Sequence, residues 1–228
     1  MNNTYDFNEK GYVFLKKIYS IDTIEEFNKD VRDFLTKNNI YGHLKKREDV
    51  IEEKFFVNNT YTSLDNYKKI QYYYLPVVDN KSSHNRTTDA GMIDIYNIDK
   101  LFPNLFKLFD INLMLILLNK LTNTKWKLLR SNLQICSNVE NPMSYHFENC
   151  EKCIKYVIYL SDINSNDDGP PSLIEYTHLV KNEIKNSHIK MFCGQKGDTL
   201  ISYQSILHRK MPQKNSTVGF LVFNFVCI

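Results

Sequence analysis

Lys155-Tyr-Val-Ile-Tyr-Leu160, the turn Asn164-Ser-Asn-Asp-Asp-Gly-Pro-Pro171 and Ser172-Leu-Ile-Glu-Tyr176 form the stretch on which the fold turns. Two short runs rich in Val, Ile and Tyr flank a polar Gly-Pro turn, the pattern of strands rather than helices. The same texture holds on both sides. Residues 125–136, 199–203 and 218–226 are further β-rich runs separated by turn-like segments. Upstream the pattern changes. Gly11-Tyr-Val-Phe-Leu15 reads as a strand, and a helix is expected over residues 22–36. Asp22 with Glu25 three positions on has the spacing of a capping box. Ile24, Phe27, Val31, Phe34 and Leu35 recur at helical spacing and predict one buried stripe. Residues 98–121 also read as helical, with Pro103 in a first turn or at a break, because an interior proline costs ~3 kcal/mol. Residues 39–90 are polar and carry Gln71-Tyr-Tyr-Tyr-Leu75. Helices first and many short strands after predict a mainly β chain, a jelly roll or barrel core with an N-terminal helical layer.

Composition narrows the function classes. The 228 residues suit one well-buried domain, with residues 1–125 as its N-terminal part and 126–228 as its core. Hydrophobic residues make up 43% and charged residues 24%, ordinary for a globular protein. A net charge of +3, with no dense basic block, gives no support for nucleic acid as a partner. The longest uncharged apolar stretch, 111–119, falls far short of the ~20 residues that span a bilayer. The N-terminus holds no apolar core of signal-peptide length, so a cytoplasmic location is expected. The five cysteines are an odd number without a secretory signal, and free thiols are the expectation.

The chemistry is carried by His146-Phe147-Glu148 and His208. On a strand, residues i and i+2 point to the same side, so an imidazole and a carboxylate enter one cavity together. Two His and one carboxylate on one face, with open positions opposite, is the ligand set of non-haem iron(II) oxygenases. The second His would come from a distant strand. His208 closes Gly197-Asp-Thr-Leu-Ile-Ser-Tyr-Gln-Ser-Ile-Leu-His208, about sixty residues after Glu148. Alone, His-x-Glu is a weak signal: among six His a surface pair is the commoner origin. Context strengthens it, since a strand precedes His146 and an apolar strand follows Glu148.

At these residues the chain resembles the phytanoyl-CoA dioxygenase family, which includes ectoine hydroxylase-like enzymes. Four elements carry the resemblance, in order. Gly11-Tyr-Val-Phe-Leu-Lys-Lys-Ile-Tyr-Ser20 and the next helix look like the family's opening. Tyr145-His-Phe-Glu148 is similar to its Trp-His-Gln-Asp. Tyr156-Val-Ile-Tyr-Leu-Ser-Asp-Ile163, the turn Asp168-Gly-Pro170 and Ile174-Glu-Tyr-Thr-His-Leu179 resemble its aliphatic strand, Asn-Gly-Pro and Pro-Gly-Ser-His. Residues 197–208 and Phe220-Leu-Val-Phe-Asn-Phe225 look like its distal-His module. The match covers most of 1–38 and 126–228 and is loose over 39–125.

The resemblance implies a double-stranded β-helix, a cupin-like jelly roll. It implies iron(II) on His146, Glu148 and His208, with 2-oxoglutarate and O2 as co-substrates. The expected activity is hydroxylation of a small-molecule or lipid-like substrate with release of succinate and carbon dioxide. Glu in place of Asp lengthens one ligand arm by a methylene. One element of the pattern is missing. The family places an Arg about ten residues beyond the distal His, where it pairs bidentately with the far carboxylate of 2-oxoglutarate. After Lys214 this chain holds no Arg or Lys at all. Arg209, next to a ligand, should point away from the cavity. A dianion in a pocket needs another partner. Lys210, Lys214 and Arg130 are the candidates. The strand Arg130-Ser-Asn-Leu-Gln134 alternates polar residues on one face and resembles the family strand whose Asn, equivalent to Asn132, contacts the co-substrate. Arg130, Asn132, Gln134 and Lys214 are therefore the expected co-substrate residues.

Two other readings stand beside this one: a catalytically silent jelly roll that binds a ligand or partner, and an iron oxygenase with a different co-substrate. Cys150-Glu-Lys-Cys153 has zinc or redox spacing, but no second Cys pair follows, so loop cysteines are expected. His178 occupies the family's structural Gly-Ser-His position. His43, His84 and His188 lie in polar surroundings and are expected at the surface. Trp126 and Tyr72 to Tyr74 are expected to pack in the core rather than line a substrate pocket.

Overall fold

The computed structural model describes residues 3–37, 72–74, 92–139, 145–148, 150, 152–179 and 188–228. Its helices are α1 (Asn3–Lys10), α2 (Ile21–Lys37), α3 (Leu105–Leu108) and α4 (Ile111–Thr122), with a 3-10 turn at Ile98–Lys100. The strands are β1 (Tyr12–Leu15), β2 (Tyr72–Tyr74), β3 (Met92–Tyr96), β4 (Trp126–Val139), β5 (Cys153–Tyr159), β6 (Pro171–Ile174), β7 (Ile189–Met191), β8 (Thr199–Tyr203), β9 (His208–Lys210) and β10 (Gln213–Cys227). They form two antiparallel sheets, a seven-stranded one in the order β1-β8-β5-β10-β4-β3-β2 and a three-stranded one in the order β7-β6-β9. This is the jelly roll that the strand texture predicts.

Each central strand of the large sheet divides its side chains between two cores. In β5, Ile154, Tyr156 and Ile158 face the helices, where Phe7, Ile24, Phe27, Phe109 and Leu118 meet them. Val157 and Tyr159 face the small sheet and pack with Leu173, Phe192, Leu200, Phe220 and Val222. A strand buried on both faces must read as a near-continuous apolar run, and residues 153–160 do.

The helices differ from expectation in detail. The stripe of α2 is as predicted: Ile24, Phe27, Val31 and Leu35 are buried and Phe34 partly so. Its cap is different. Ser20 Oγ accepts the Thr23 amide at 3.1 Å, so Ser20 and not Asp22 closes the helix start. Glu25 reaches across to Lys196 Nζ at 2.5 Å instead. The expected helix over 98–121 is broken into the 3-10 turn, α3 and α4, with Pro103 in the turn before α3. Asp110 caps α4 by accepting the Asn112 amide at 2.8 Å. The sequence pattern gives no periodic signal for α1. Its polar residues hide one anchor, Phe7, which is fully buried. Strands β2, β3, β7 and β9 were also not predicted; three to five residues carry too little periodicity to declare themselves.

Cys150 and Cys153 form a disulfide, which corrects the free-thiol expectation for this pair; Cys136, Cys193 and Cys227 are free. Among the described residues no helix is long and apolar enough to cross a membrane.

Candidate metal centre

His146 lies against β9 of the small sheet. Its amide donates to the His208 carbonyl at 3.0 Å, and the His208 amide returns to the His146 carbonyl at 2.8 Å. This two-residue bridge seats the His146–Glu148 segment against β9, so both imidazoles stand side by side with ring centroids 4.5 Å apart. Glu148 follows two residues on and is fixed by its own amide, which donates to the Gln204 carbonyl at 3.0 Å. The backbone therefore places the three residues that the sequence singled out as ligands near one another, without closing their side chains on one point.

The tautomer of His208 is set by its neighbour. Nδ1 lies 2.9 Å from the Ile206 carbonyl oxygen, a contact that requires Nδ1–H to donate. Nε2 then carries the lone pair and faces the site, the arrangement found where a ring nitrogen binds metal. Burial, followed by the nearby Lys155 charge, pushes the His208 ring down to about 3, so it is neutral at ordinary pH.

Between these groups stands a residue that the sequence reading passed over. Lys155 Nζ is 2.5 Å from Glu148 Oε1 and 3.4 Å from His208 Nε2. Arg130 approaches the other carboxylate oxygen, with its Nη2 at 3.7 Å from Glu148 Oε2. Burial raises the Glu148 carboxyl, but Lys155, His208 and Arg130 outweigh it and hold it at about 2. The carboxylate is thus ionised, as a ligand must be. Among the described residues no three His, Cys, Asp or Glu side chains close on one point as a finished cage. The donors are of the right chemistry and adjacent, and a cation already lies between two of them; that cation is an ammonium on a flexible stem.

Lys155 belongs to a polar row that crosses the large sheet. The register pairs Arg130 of β4 with Asn224 of β10, Asn224 with Lys155 of β5, and Lys155 with Ser202 of β8. Directly paired residues share a face, and this face looks toward the small sheet. Asn224 is 1% exposed; its Oδ1 accepts from Gln204 Nε2 at 2.6 Å, and its Nδ2 has no partner. One rung further in on the same face, the row becomes Asn132, Val222, Val157 and Leu200, and then Gln134, Phe220 and Tyr159. Among the described residues of β10 beyond Asn224, Val222, Phe220 and Val218 pack in the core facing the small sheet.

The expected co-substrate residues are scattered. Arg130 sits at the site. Asn132 is buried one rung in, with Oδ1 unpartnered. Gln134 is a rung further and half-buried. Lys210 Nζ lies 3.0 Å from Cys136 Sγ, away from Glu148. The Lys214 side chain, His43 and His84 lie outside the described residues. Arg209 covers the Tyr145 ring at 4.1 Å, and Tyr145 Oη shares a 2.8 Å hydrogen bond with Ser172 Oγ. His178 stacks on Tyr203 and contacts the Asn8 carbonyl. His188 is partly buried against Tyr176, not fully at the surface. Trp126 is in the core. Lys155, Asn224 and Gln204 are the residues that sequence reasoning missed. Their signal was a single polar residue at an inward position of an apolar strand, as in Cys153-Ile-Lys-Tyr-Val-Ile-Tyr159 and Phe220-Leu-Val-Phe-Asn-Phe225.

Solved structures match the whole architecture. One is SnoN, a non-haem α-ketoglutarate-dependent epimerase from nogalamycin biosynthesis: TM-score 0.68, 10% identity, covering 98% of this chain and 80% of that one. HygX from Streptomyces hygroscopicus, solved with nickel, 2-oxoglutarate and hygromycin B, matches at TM-score 0.64 and 12% identity over 99% of this chain and 87% of its own. AviO1 from Streptomyces viridochromogenes Tue57 matches at 0.69 and 11%, over 98% and 93%. The chain shares their fold. No family model matches it, and no curated protein sequence does. The likeness lies at the level of this fold and does not single out the phytanoyl-CoA dioxygenase family.

Proposed function

We propose that the protein is an iron(II)- and 2-oxoglutarate-dependent oxygenase acting on a small molecule. The observation that supports this reading is that the ionised Glu148 carboxylate and His208 Nε2 both face one cation, the Lys155 ammonium, with His146 bridged to His208 beside them. SnoN and HygX, which share the fold, use or bind 2-oxoglutarate. Bound iron would supply the oxidising chemistry, with O2 consumed and 2-oxoglutarate converted to succinate and carbon dioxide. The chain's own residues hold and orient: the His146–His208 bridge fixes both backbones, the Ile206 carbonyl orients the His208 ring, and Gln204 fixes the Glu148 backbone. Hydroxylation of a small-molecule or lipid-like substrate is the outcome we assign, in a cytoplasmic setting. SnoN, an epimerase, illustrates that this scaffold also supports other outcomes.

One observation favours a second reading, a silent jelly roll that keeps the barrel for binding. Lys155 neutralises Glu148 from the place where a metal would sit, and a chain that had abandoned iron could retain such an internal cation. Metal analysis joined to a succinate-release assay separates the two. Metal uptake with conversion of 2-oxoglutarate to succinate is the expected result. Uptake without succinate points to a different co-substrate, and no uptake leaves the silent domain.

A further inference from the structure

Cys150-Glu-Lys-Cys153 lies outside the ligand set, yet its two thiols are joined while Cys136, Cys193 and Cys227 stay free. We propose that the Cys150–Cys153 pair is a thiol–disulfide exchange site for small thiols, entered at Cys150. Its redox state sets how firmly the Glu148 segment is tied to β5. This holds with or without a metal and does not rest on the oxygenase reading.

The two sulfurs differ in access. Cys153 is 1% exposed and is the first residue of β5, paired with Val226 of β10. Cys150 is half-buried and lies before the strand. A disulfide shielded at one sulfur is opened at the other, since exchange requires access to the sulfur attacked. An external thiolate attacks the Cys150 sulfur, and the S–S bond breaks. Its electron pair leaves on the Cys153 sulfur, which takes a proton. A second small thiol then attacks the mixed disulfide, releases Cys150 as a thiol and departs with the first as an external disulfide. The protein gains two electrons and two protons, and the two small thiols supply them.

The position of the bond is a poor one for a staple. Only Glu151 and Lys152 separate the two cysteines, and a loop this short removes the least entropy from the unfolded chain. Strand β5 is held without it, by β10 on one side and β8 on the other. The bond instead joins the two stretches that carry the Glu148–Lys155 ion pair. Glu148 precedes Cys150 by two residues, and its carbonyl accepts from the Cys150 amide at 2.7 Å. Lys155 follows Cys153 by two residues on β5. The same stretches are also tied by that ion pair and by Gln204, whose amide donates to the Cys153 carbonyl at 2.9 Å and whose carbonyl accepts from the Glu148 amide at 3.0 Å. Reduction removes the covalent member of this set and leaves the weaker ones.

Incubation of the oxidised protein with reduced glutathione, without denaturant, tests this by thiol counting and peptide mass mapping. The Cys150–Cys153 bond should open, and oxidised glutathione should close it again. Cys153→Ala should take glutathione onto Cys150 at least about tenfold faster than Cys150→Ala takes it onto the buried Cys153. A second measurement needs no variant. On reduction of the wild type, amide hydrogen exchange over residues 145–150 should rise about tenfold while β8 is unchanged. A bond that opens only in denaturant, or glutathione on Cys153 as fast as on Cys150, overturns the proposal. So does amide exchange that reduction leaves unchanged or raises equally in β8.

Discussion

Glu148 meets a cation at each of its oxygens, and this sets what its replacement would do. Glu148→Gln removes the one carboxylate of the proposed ligand set and leaves Lys155 and Arg130 facing a neutral amide. Divalent-metal affinity should fall by at least the ~10–100-fold that loss of an outer-shell partner costs, as read by Mn(II) titration. An unchanged affinity would remove Glu148 from the ligand set. At this scale the sequence was legible where residue type is distinctive. His146, Glu148 and His208 announce themselves by spacing. Lys155 did not, because a lysine in a strand is ordinarily a solvated one, and only the register reveals that this one points inward.

The Gly197–Asp198 turn shows how an element is held in place. Gly197 has φ of +84°, and a Cβ there would collide with the Tyr19 carbonyl, which lies against it because Ile18 and Tyr19 both donate to the Gly197 oxygen. Gly197→Ala therefore combines an unfavourable backbone with a backbone clash and should cost about 1–3 kcal/mol, measured as a lowered denaturant midpoint. Asp198, 1% exposed, accepts from the Lys17 amide at 2.9 Å, the Gln195 amide at 2.8 Å and Lys16 Nζ at 2.9 Å. Burial would raise its carboxyl, but these donors outweigh burial and hold it below the ordinary value near 3.8. A depressed folded value means the stabilisation is present above the unfolded value and is lost as pH falls through the folded one. Asp198→Asn should thus destabilise by about 1–3 kcal/mol at neutral pH, with the gap to wild type closing below about pH 4. A gap independent of pH would show that the charge of Asp198 contributes nothing. Elements of this kind were half legible. The run from Gly197 to His208 was read as one module, but the short strand β9 at its end was invisible in three residues. Its existence depends on pairing with Leu173 of β6 and on the bridge to His146.

For the whole molecule, the jelly roll with its N-terminal helical layer was legible from the order of helices and short strands. The division into two cores, carried by apolar residues on both faces of β5 and β10, shows only in the structure. Phe223 lies at the centre of the helix-side core and is fully buried. Phe223→Ala should cost about 3–5 kcal/mol and lower the thermal midpoint. A cost under about 1 kcal/mol would mean that the helical layer is not coupled to the sheet. What the sequence left dark is the polar row of Arg130, Asn224, Lys155 and Ser202. It is assembled from four strands spread along the chain, so no local window contains it. The central claim is that two imidazoles and one carboxylate, from the His146–Glu148 segment and from β9, hold one divalent metal. Its most direct test is titration of the metal-stripped protein with Mn(II), following free ion by electron paramagnetic resonance. One ion should be taken up per chain, and the uptake should be lost in both Glu148→Gln and His208→Ala. A wild-type protein that leaves all the Mn(II) free in solution would contradict the account.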